Sequence, residues 1–349
     1  MRKTQLIINL SIFTLLFSII PTLAQVGGTG TYKFLTLTNS ARVAALGSKN
    51  VSLNDGDLNL VFHNPALLTP EMNKNIALSY IDYFAGIGFG QTAYAFDIDS
   101  VGTFNAGMQY VDYGSFRGAD RFGNLNGTFY AKDLALNLSY SRAIDSSIRL
   151  GVTLKPVFSS YERYTSYGVV ADFGATYTTD EGRLTIAAVI ANVGSQLKTY
   201  TSNDYEAMPF EILLGVTKRL AHAPFRISIT AQNLQHYDML YDRPVELTNT
   251  SPATSQPSKL EKFANNFFRH IIGGIEFIPS KSFYISGAYN YQRKKEMALD
   301  DSPGIVGFSF GAGIRLKRFS LSYGRAVYHA AGGSNHFSLL LNLGQTFRR

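Results

Sequence analysis

The sequence contains no cysteine and no tryptophan among its 349 residues. The lack of cysteine excludes a disulfide framework, a thiol nucleophile, thiolate metal ligands and a lipid-modified N-terminal cysteine. Charged residues make up only 16%, below the fraction of about a quarter that is usual in soluble domains. Beyond residue 24 no apolar run approaches the ~20 residues that a membrane-spanning helix needs. If the mature protein resides in a membrane, it must therefore cross it with strands.

The chain is basic, with a net charge of +7 and an isoelectric point near 9.3. Such a balance is compatible with a nucleic-acid binder, but the longest Lys/Arg run is the three-residue stretch 293–295. No stripe that could follow a phosphate backbone is present, so we expect no nucleic-acid partner. Cations scattered over strands and loops are instead expected to meet outer-membrane lipid, including the anionic groups of lipopolysaccharide.

Residues 1–24 have the pattern of a secretory signal peptide. Arg2 and Lys3 precede an apolar stretch over 6–20, and small residues at 22–24 form a cleavage site. We therefore expect an exported protein with an irregular segment over 25–73 and a strand-rich domain over 74–349. A short helical turn over Ala41–Leu46, ended by Gly47, is predicted within the irregular segment.

From residue 75 onwards apolar and polar residues alternate, as they do in strands with one apolar face. The charged residues Arg149, Lys155 and Arg226 all fall on the polar parity, which favours a polar interior and an apolar exterior. Segments of about ten residues recur at the length expected of transmembrane strands. The predicted strands are 75–84, 88–98, 101–113, 130–143, 147–161, 166–178, 183–193, 209–219, 224–236, 268–278, 282–293, 304–316, 319–328 and 336–347.

The predicted connections alternate between tight turns and longer loops, as in a bacterial outer-membrane barrel with short periplasmic turns. The sequence therefore predicts an all-β fold, a 14-stranded antiparallel transmembrane β-barrel. The last strand, 336–347, should close the barrel against 75–84, with Phe337 to Phe347 facing outward and Asn342 and Thr346 inward. The longer loops include 114–129, 162–165 and 237–267.

The motifs of enzymes and metal sites are absent from the sequence. The six histidines lack zinc spacing and no nucleophile elbow is present, although His270 and Ser286 could meet across neighbouring strands in an outer-membrane hydrolase. The stretch Asn54–Asn59 begins like a calcium loop, but with Asp55 as the first position Leu60 stands where the loop needs its sixth-position glycine. A polar turn is therefore the better interpretation. We predict a protein that is not an enzyme and that needs no cofactor or metal.

The most specific motifs precede the first strand. Ser40, Ala41 and Arg42 open the run Ser-Ala-Arg-Val-Ala-Ala-Leu-Gly, and Asn64, Pro65 and Ala66 stand shortly before the barrel. This arrangement resembles the N-terminal region of FadL-like outer-membrane barrels, and the resemblance implies a hatch that folds into the lumen. Within that group the chain is most similar to the PorQ family of the Bacteroidota type IX secretion system, which is related to PorV.

The resemblance implies a non-enzymatic, integral outer-membrane component that works with PorU, PorV and PorZ in attaching secreted cargo to the cell surface. We expect it to anchor a PorZ-like partner through the longest loop, with candidate contact residues Tyr237, Tyr241, Arg243, Lys259 and Lys262. The alternative is a FadL-like transporter of hydrophobic small molecules, which shares the fold and the hatch. A soluble exported β protein is a third possibility.

Overall fold

The computed structural model describes residues 30–179, 181–202, 204–240, 258–298, 304–329 and 332–346. The signal peptide expected at residues 1–24 lies outside these ranges. Each strand pairs antiparallel with its sequence neighbours and the first pairs with the last, so the sheet closes into the predicted 14-stranded barrel. The strands are β1 Asn75–Asp82, β2 Gly88–Ile98, β3 Gly102–Ala119, β4 Leu125–Ala143, β5 Ile148–Tyr161, β6 Tyr164–Thr178, β7 Leu184–Lys198, β8 Glu211–Arg219, β9 Phe225–Ala231, β10 Ile271–Ser280, β11 Phe283–Asn290, β12 Phe308–Arg315, β13 Phe319–His329 and β14 Gly332–Asn342.

The alternating sequence forms these strands because each one has an apolar face and a polar face to place. On β4, Leu136 and Leu138 are exposed on the outer surface, whereas Asn137 and Ser139 are buried inside. Lys155 and Arg226 are also buried inside, as their parity predicts. A closed ring leaves no unpaired edge strand, and its apolar exterior is the surface that a lipid bilayer solvates. The molecule thus has the architecture of an integral outer-membrane barrel.

Short helices occur before the barrel and on its longer connections. In α1 the Ser40 hydroxyl accepts from the Val43 amide and Gly47 follows at φ +89°, which confirms the predicted turn and its end. None of the helices in the described ranges has the length and apolarity needed to cross a membrane. The α-helices are α1 Ala41–Ala45, α2 Lys259–Arg269, α3 Tyr291–Met297 and α4 Leu343–Thr346, and the 3₁₀ helices are Lys33–Thr36, Leu58–Phe62, Pro65–Leu67, Pro70–Met72 and Phe84–Gly86.

The predictions of longer loops at 114–129 and 162–165 are wrong. Most of 114–129 belongs to β3 and β4, which continue as a hairpin in which Phe116 stacks on Phe129 at 5.2 Å between ring centroids. Only Glu162 and Arg163 separate β5 from β6. Cross-strand pairs of this kind stabilise a sheet without help from lipid, so the strands extend further than membrane thickness requires. The long connections that remain follow β7, β9 and β11, which places them at one end of the barrel.

The closing strand has the predicted partner but a different end. Asn75 pairs with Asn342 and Asp82 with Asn335, and Phe337 is exposed while Ser338 is buried. Beyond Asn342 the neighbouring strands offer no further partners, so the chain turns into α4, where the Leu343 amide donates to the Lys74 carbonyl. The prediction that Thr346 continues the strand is therefore wrong, and Phe347 lies outside the described residues.

Candidate functional site

Residues 30–73, here called the N-terminal segment, lie inside the barrel. Their polar groups bond to inward-facing side chains on strands around its circumference. The hydroxyls of Tyr32 and Ser166 on β6 are 2.5 Å apart, and those of Ser52 and Thr217 on β8 are 2.8 Å apart. Most side chains of the segment are buried, both apolar and polar. The segment therefore occupies the lumen and contacts several sides of the wall.

The first motif of the segment packs on a pair of glycines in the wall, and such a pair is here called a glycine seat. Gly311 of β12 lies opposite Gly324 of β13, and α1 packs directly against both. A Cβ atom added at Gly324 would lie 2.0 Å from the Ala41 carbonyl oxygen, and one at Gly311 would lie 2.7 Å from the Ala45 Cβ. Only glycine permits this approach of backbone to backbone. The Ala41 amide also donates to the Ser338 hydroxyl of β14 at 2.9 Å.

The second motif has a matching seat on the other side. Gly151 of β5 lies opposite Gly174 of β6, and an added Cβ there would lie 2.4 Å from the Pro65 carbonyl carbon or 2.1 Å from the Asn64 Oδ1. The Asn64 Oδ1 accepts from the Ala66 amide at 2.9 Å, which caps the short 3₁₀ helix that follows. The two motifs that stand out in the sequence are thus the two points at which the N-terminal segment touches the wall most closely.

A buried cluster of charges joins the segment to the strands between β9 and β12. Arg42 donates from Nη1 to Asp55 Oδ1 at 2.9 Å and from Nε to Glu276 Oε1 of β10 at 3.0 Å. Arg226 of β9 and Arg315 of β12 each donate to Asp55 Oδ2 at 2.8 Å. Three guanidinium groups therefore share the carboxylates of Asp55 and Glu276. Such pairs tolerate burial because each charge has several hydrogen-bonding partners.

The electrostatic environment of the segment depends on these contacts. Burial by itself would raise the pKa of Asp55, but Arg42, Arg315 and Arg226 together hold it well below the usual range. His63 shows the opposite balance: burial, with Lys49 and Lys155 nearby, lowers its pKa to about 3. The neutral His63 ring bonds through Nε2 to the Asn39 Oδ1 at 2.7 Å. Asp55 therefore contributes a fixed negative charge and His63 a neutral ring.

Solved structures with a similar fold include a hydrocarbon channel, a toluene transporter and a FadL homologue. The TodX monoaromatic hydrocarbon channel deltaS2 mutant is 14% identical, with a TM-score of 0.49 over 87% of this chain and 97% of that one. The Pseudomonas putida toluene transporter TodX is 12% identical, with a TM-score of 0.49 over 87% and 96%. A Pseudomonas aeruginosa FadL homologue is 12% identical, with a TM-score of 0.44 over 87% and 98%. The similarity concerns the fold alone. No protein-family model and no curated protein matches the chain.

The predicted partner loop is only partly within the described residues. Tyr237 lies in the connection after β9 and is 82% exposed, and Lys259 and Lys262 lie on α2. Tyr241 and Arg243 fall outside the described ranges. The sequence analysis did not predict α2, whose N-cap Ser258 accepts from the Glu261 amide at 3.2 Å. The Ser-Lys-Leu-Glu pattern of a capping box at 258–261 was the available signal.

The structure separates the residues of the hydrolase alternative. The His270 Nδ1 bonds to the Gln232 carbonyl at 2.9 Å, whereas the Ser286 hydroxyl donates to Glu276 at 3.2 Å. They do not bond to each other, so the proposed meeting of His270 and Ser286 is wrong. In the described part of the chain no group of three or more His, Cys, Asp or Glu side chains could hold a metal ion. The polar turn at 54–59 supplies Asp55 to the charge cluster instead.

Sequence reasoning missed the charge cluster itself. Arg226 was assigned to the polar interior, but nothing linked it to Asp55 or to Glu276. The usable signal was an isolated charge on the inward parity of a strand, which needs a partner inside the lumen. Glu276 and Arg315 satisfy this criterion as well as Arg226 does.

Proposed function

We propose that the protein is a closed outer-membrane barrel that anchors an exported protein at the cell surface, as the PorQ family does in the type IX attachment complex. The observation that supports this role is the N-terminal segment, which two glycine seats and the Asp55 charge cluster hold inside the lumen. In a barrel filled in this way, the N-terminal segment closes the lumen as a hatch. The two ends of the barrel then remain as surfaces for a partner. The segment has the two motifs that carry the resemblance.

The docking surface that we propose is the exposed apolar stripe of α2. Leu260, Phe263 and Phe267 lie three and four residues apart, so they share one helical face. These side chains are 77%, 60% and 51% exposed, respectively. Lys259 and Lys262 flank the stripe and add positive charge at its rim. Exposed aromatic side chains beside cations are typical of protein-binding surfaces.

The α2 helix is held in place from behind. Phe268 contacts Tyr291 of α3 with ring centroids 5.9 Å apart, and Arg269 pairs with Glu296 at 3.4 Å. The two helices belong to the connections after β9 and β11, at the end with the long connections. By the usual orientation of bacterial barrels this end faces outward from the cell. A partner at the cell surface would therefore contact α2, which its contacts with α3 hold in place.

The test is co-purification from the native envelope in mild detergent, with Phe263→Asp as the variant. We expect it to lose a PorZ-like partner and to release that partner from the cell surface, with PorU and PorV-like proteins followed in the same samples. Ile144→Asp is the matched control, because Ile144 is a 63% exposed apolar residue at the opposite end. Partner retention at wild-type levels in Phe263→Asp would contradict the proposed surface.

A second candidate is a transporter of hydrophobic small molecules, comparable to the toluene transporter TodX. One feature of this chain favours it. Pro156 lies within β5, and the pairing of β5 with β4 runs from Ala135–Val157 directly to Leu138–Leu154, without Leu136 or Asn137. Proline has no amide hydrogen, so this part of the wall has fewer bonds between strands. Loss of growth of a deletion strain on a hydrophobic substrate, with normal secretion, would favour transport over anchoring.

A further inference from the structure

The outer wall of the barrel has an apolar groove where the chain closes on itself. It spans the β1–β14 seam and the neighbouring strands and has a volume of about 840 Å³. Clefts of roughly 300–1,000 Å³ are the size that binds small organic ligands. Its floor includes Leu78 and Tyr80 of β1 and Phe337 of β14, all exposed on the outer face. Because these side chains face away from the lumen, the groove opens toward the membrane.

Behind the groove, the wall packs closely on the N-terminal segment. Gly311 and Gly324 let α1 contact the backbone of β12 and β13, and the Ser79 and Ser338 hydroxyls, 2.8 Å apart, line the same region from within. On the outer side Gly90 contributes no side chain, and a Cβ added there would meet nothing within 4 Å. The absence of a side chain at Gly90 thus leaves space on the outer face that larger outward side chains surround.

A positive charge stands at the outer end of the groove. Arg325 lies two residues beyond the groove residue Tyr323 on β13, about 7 Å toward the end with the long connections. Arg325 Nη1 and the Tyr323 hydroxyl both donate to the Asn335 Oδ1, at 3.0 and 2.9 Å. Asp82 is two strands away in the same row, roughly 10 Å at ordinary strand spacing. The Arg325 guanidinium is therefore fixed next to the groove, and only one of its five N–H donors is used by Asn335.

We propose that this groove binds one acyl chain of an outer-leaflet lipid of the lipid A type, with a headgroup phosphate on Arg325. The groove is apolar and lies on the membrane-facing wall, so the molecules available to fill it are acyl chains. The end that carries Arg325 is the end of the outer leaflet, where lipid A supplies phosphates directly above its acyl chains. Arginine binds phosphate in a bidentate manner. The inference requires only that the barrel spans the outer membrane, and not that it anchors a partner.

Binding can be measured by native mass spectrometry of the full-length protein in detergent, with bisphosphorylated lipid A, phosphatidylglycerol and phosphatidylcholine as probes. We expect lipid A to be retained at least fivefold better than either phospholipid. Arg325→Gln should reduce retention of lipid A about fivefold, and Gly90→Leu should reduce it as strongly by filling the groove. The two variants act through different parts of the site, so a folding defect in one leaves the other informative.

Matched controls are available on the same molecule. Gly273 on β10 also faces outward with open space around it, so Gly273→Leu should leave retention unchanged. Arg163 is an exposed arginine in the β5–β6 turn, so Arg163→Gln should do the same. Equal retention of lipid A and phosphatidylglycerol would overturn the assignment to lipid A. Equal retention by wild type, Arg325→Gln and Gly90→Leu would overturn the site.

Discussion

At the scale of single residues, Asp55 is the lumen carboxylate that pairs with three arginines. Its two carboxylate oxygens receive bonds from Arg42, Arg226 and Arg315, which come from the N-terminal segment and from two strands. Glu276, the second carboxylate that the arginines share, pairs with Arg42 and Arg226 and also accepts from Ser286. Removal of one charge therefore leaves several guanidinium groups without enough acceptors.

We expect Asp55→Asn to destabilise the folded protein by about 3 kcal/mol, because a buried charge network loses one of its two shared acceptors. The measurement is the midpoint of thermal unfolding in detergent, followed by the shift in gel mobility on heating. Asp120→Asn is the matched control, since Asp120 bonds only within its own exposed turn, to Asn124 and Phe122. A control effect as large as that of Asp55→Asn would show that the network is not the cause.

His63 should make stability depend on pH. Its pKa is about 3 in the folded protein, against about 6.5 in an unfolded chain. Below pH 6.5 His63 binds a proton in the unfolded chain but not in the folded protein. The free energy of unfolding therefore falls as the pH drops from about 6.5 toward 3. Between pH 7 and 4.5 we expect a loss of at most about 2.5 kcal/mol. His63→Gln should remove this component, and identical midpoints for both proteins across that range would contradict it.

At the scale of elements, the strands were predictable and their contacts across the lumen were not. Lipid on one side and a polar lumen on the other impose the same alternation on every strand, so β2 was assigned to the residue. The closing pair of β1 and β14 followed from the same argument. The alternation does not reveal which inward residues meet through the N-terminal segment, so the link from Asp55 to Arg226, 171 positions away, could not be found. Strand ends such as Ala119 were missed because pairing continued beyond the bilayer.

The contact between α1 and the wall yields an element-scale prediction. Gly324→Val should block the seat of α1, because even the Cβ would lie 2.0 Å from the Ala41 carbonyl oxygen. We expect a strongly reduced yield of heat-modifiable barrel and greater protease cleavage within residues 30–73. Gly287→Val is the control, since Gly287 has no atom closer than 3.9 Å to an added Cβ. Similar yields of the two variants would show that α1 does not need this seat.

The last strand yields a second element-scale prediction. Leu341 faces outward on β14 opposite Ile76, and its neighbour Asn342 lines a polar cavity of about 250 Å³ with Asp57. An arginine on the lipid side near a strand end costs about 1 kcal/mol, whereas an inward one has room and polar neighbours. Leu341→Arg should therefore lower assembly into liposomes more than Asn342→Arg. Equal assembly of the two variants would mean that the faces are assigned incorrectly.

At the scale of the whole molecule, occupation of the lumen should determine permeability. We expect the wild-type protein in planar bilayers to conduct far less than a variant that lacks residues 30–73, because the segment fills the space that ions would cross. If the deletion variant fails to assemble, the paired substitution of Gly151 and Gly324 by leucine should raise conductance by dislodging both seats. Equal conductance of wild-type and altered barrels would contradict this role.

The closure of the ring by β1 and β14 also constrains the order of assembly. Residue 30 pairs with Ala207 at the end that carries the long connections, while β1 starts at the opposite end, so the chain passes through the length of the lumen before the barrel begins. Once the first and last strands have paired, this stretch is encircled and cannot be inserted sideways. A segment that enters the lumen from the side must therefore be in place before the seam closes. If the seam closes first, the segment can enter only through one end of the barrel.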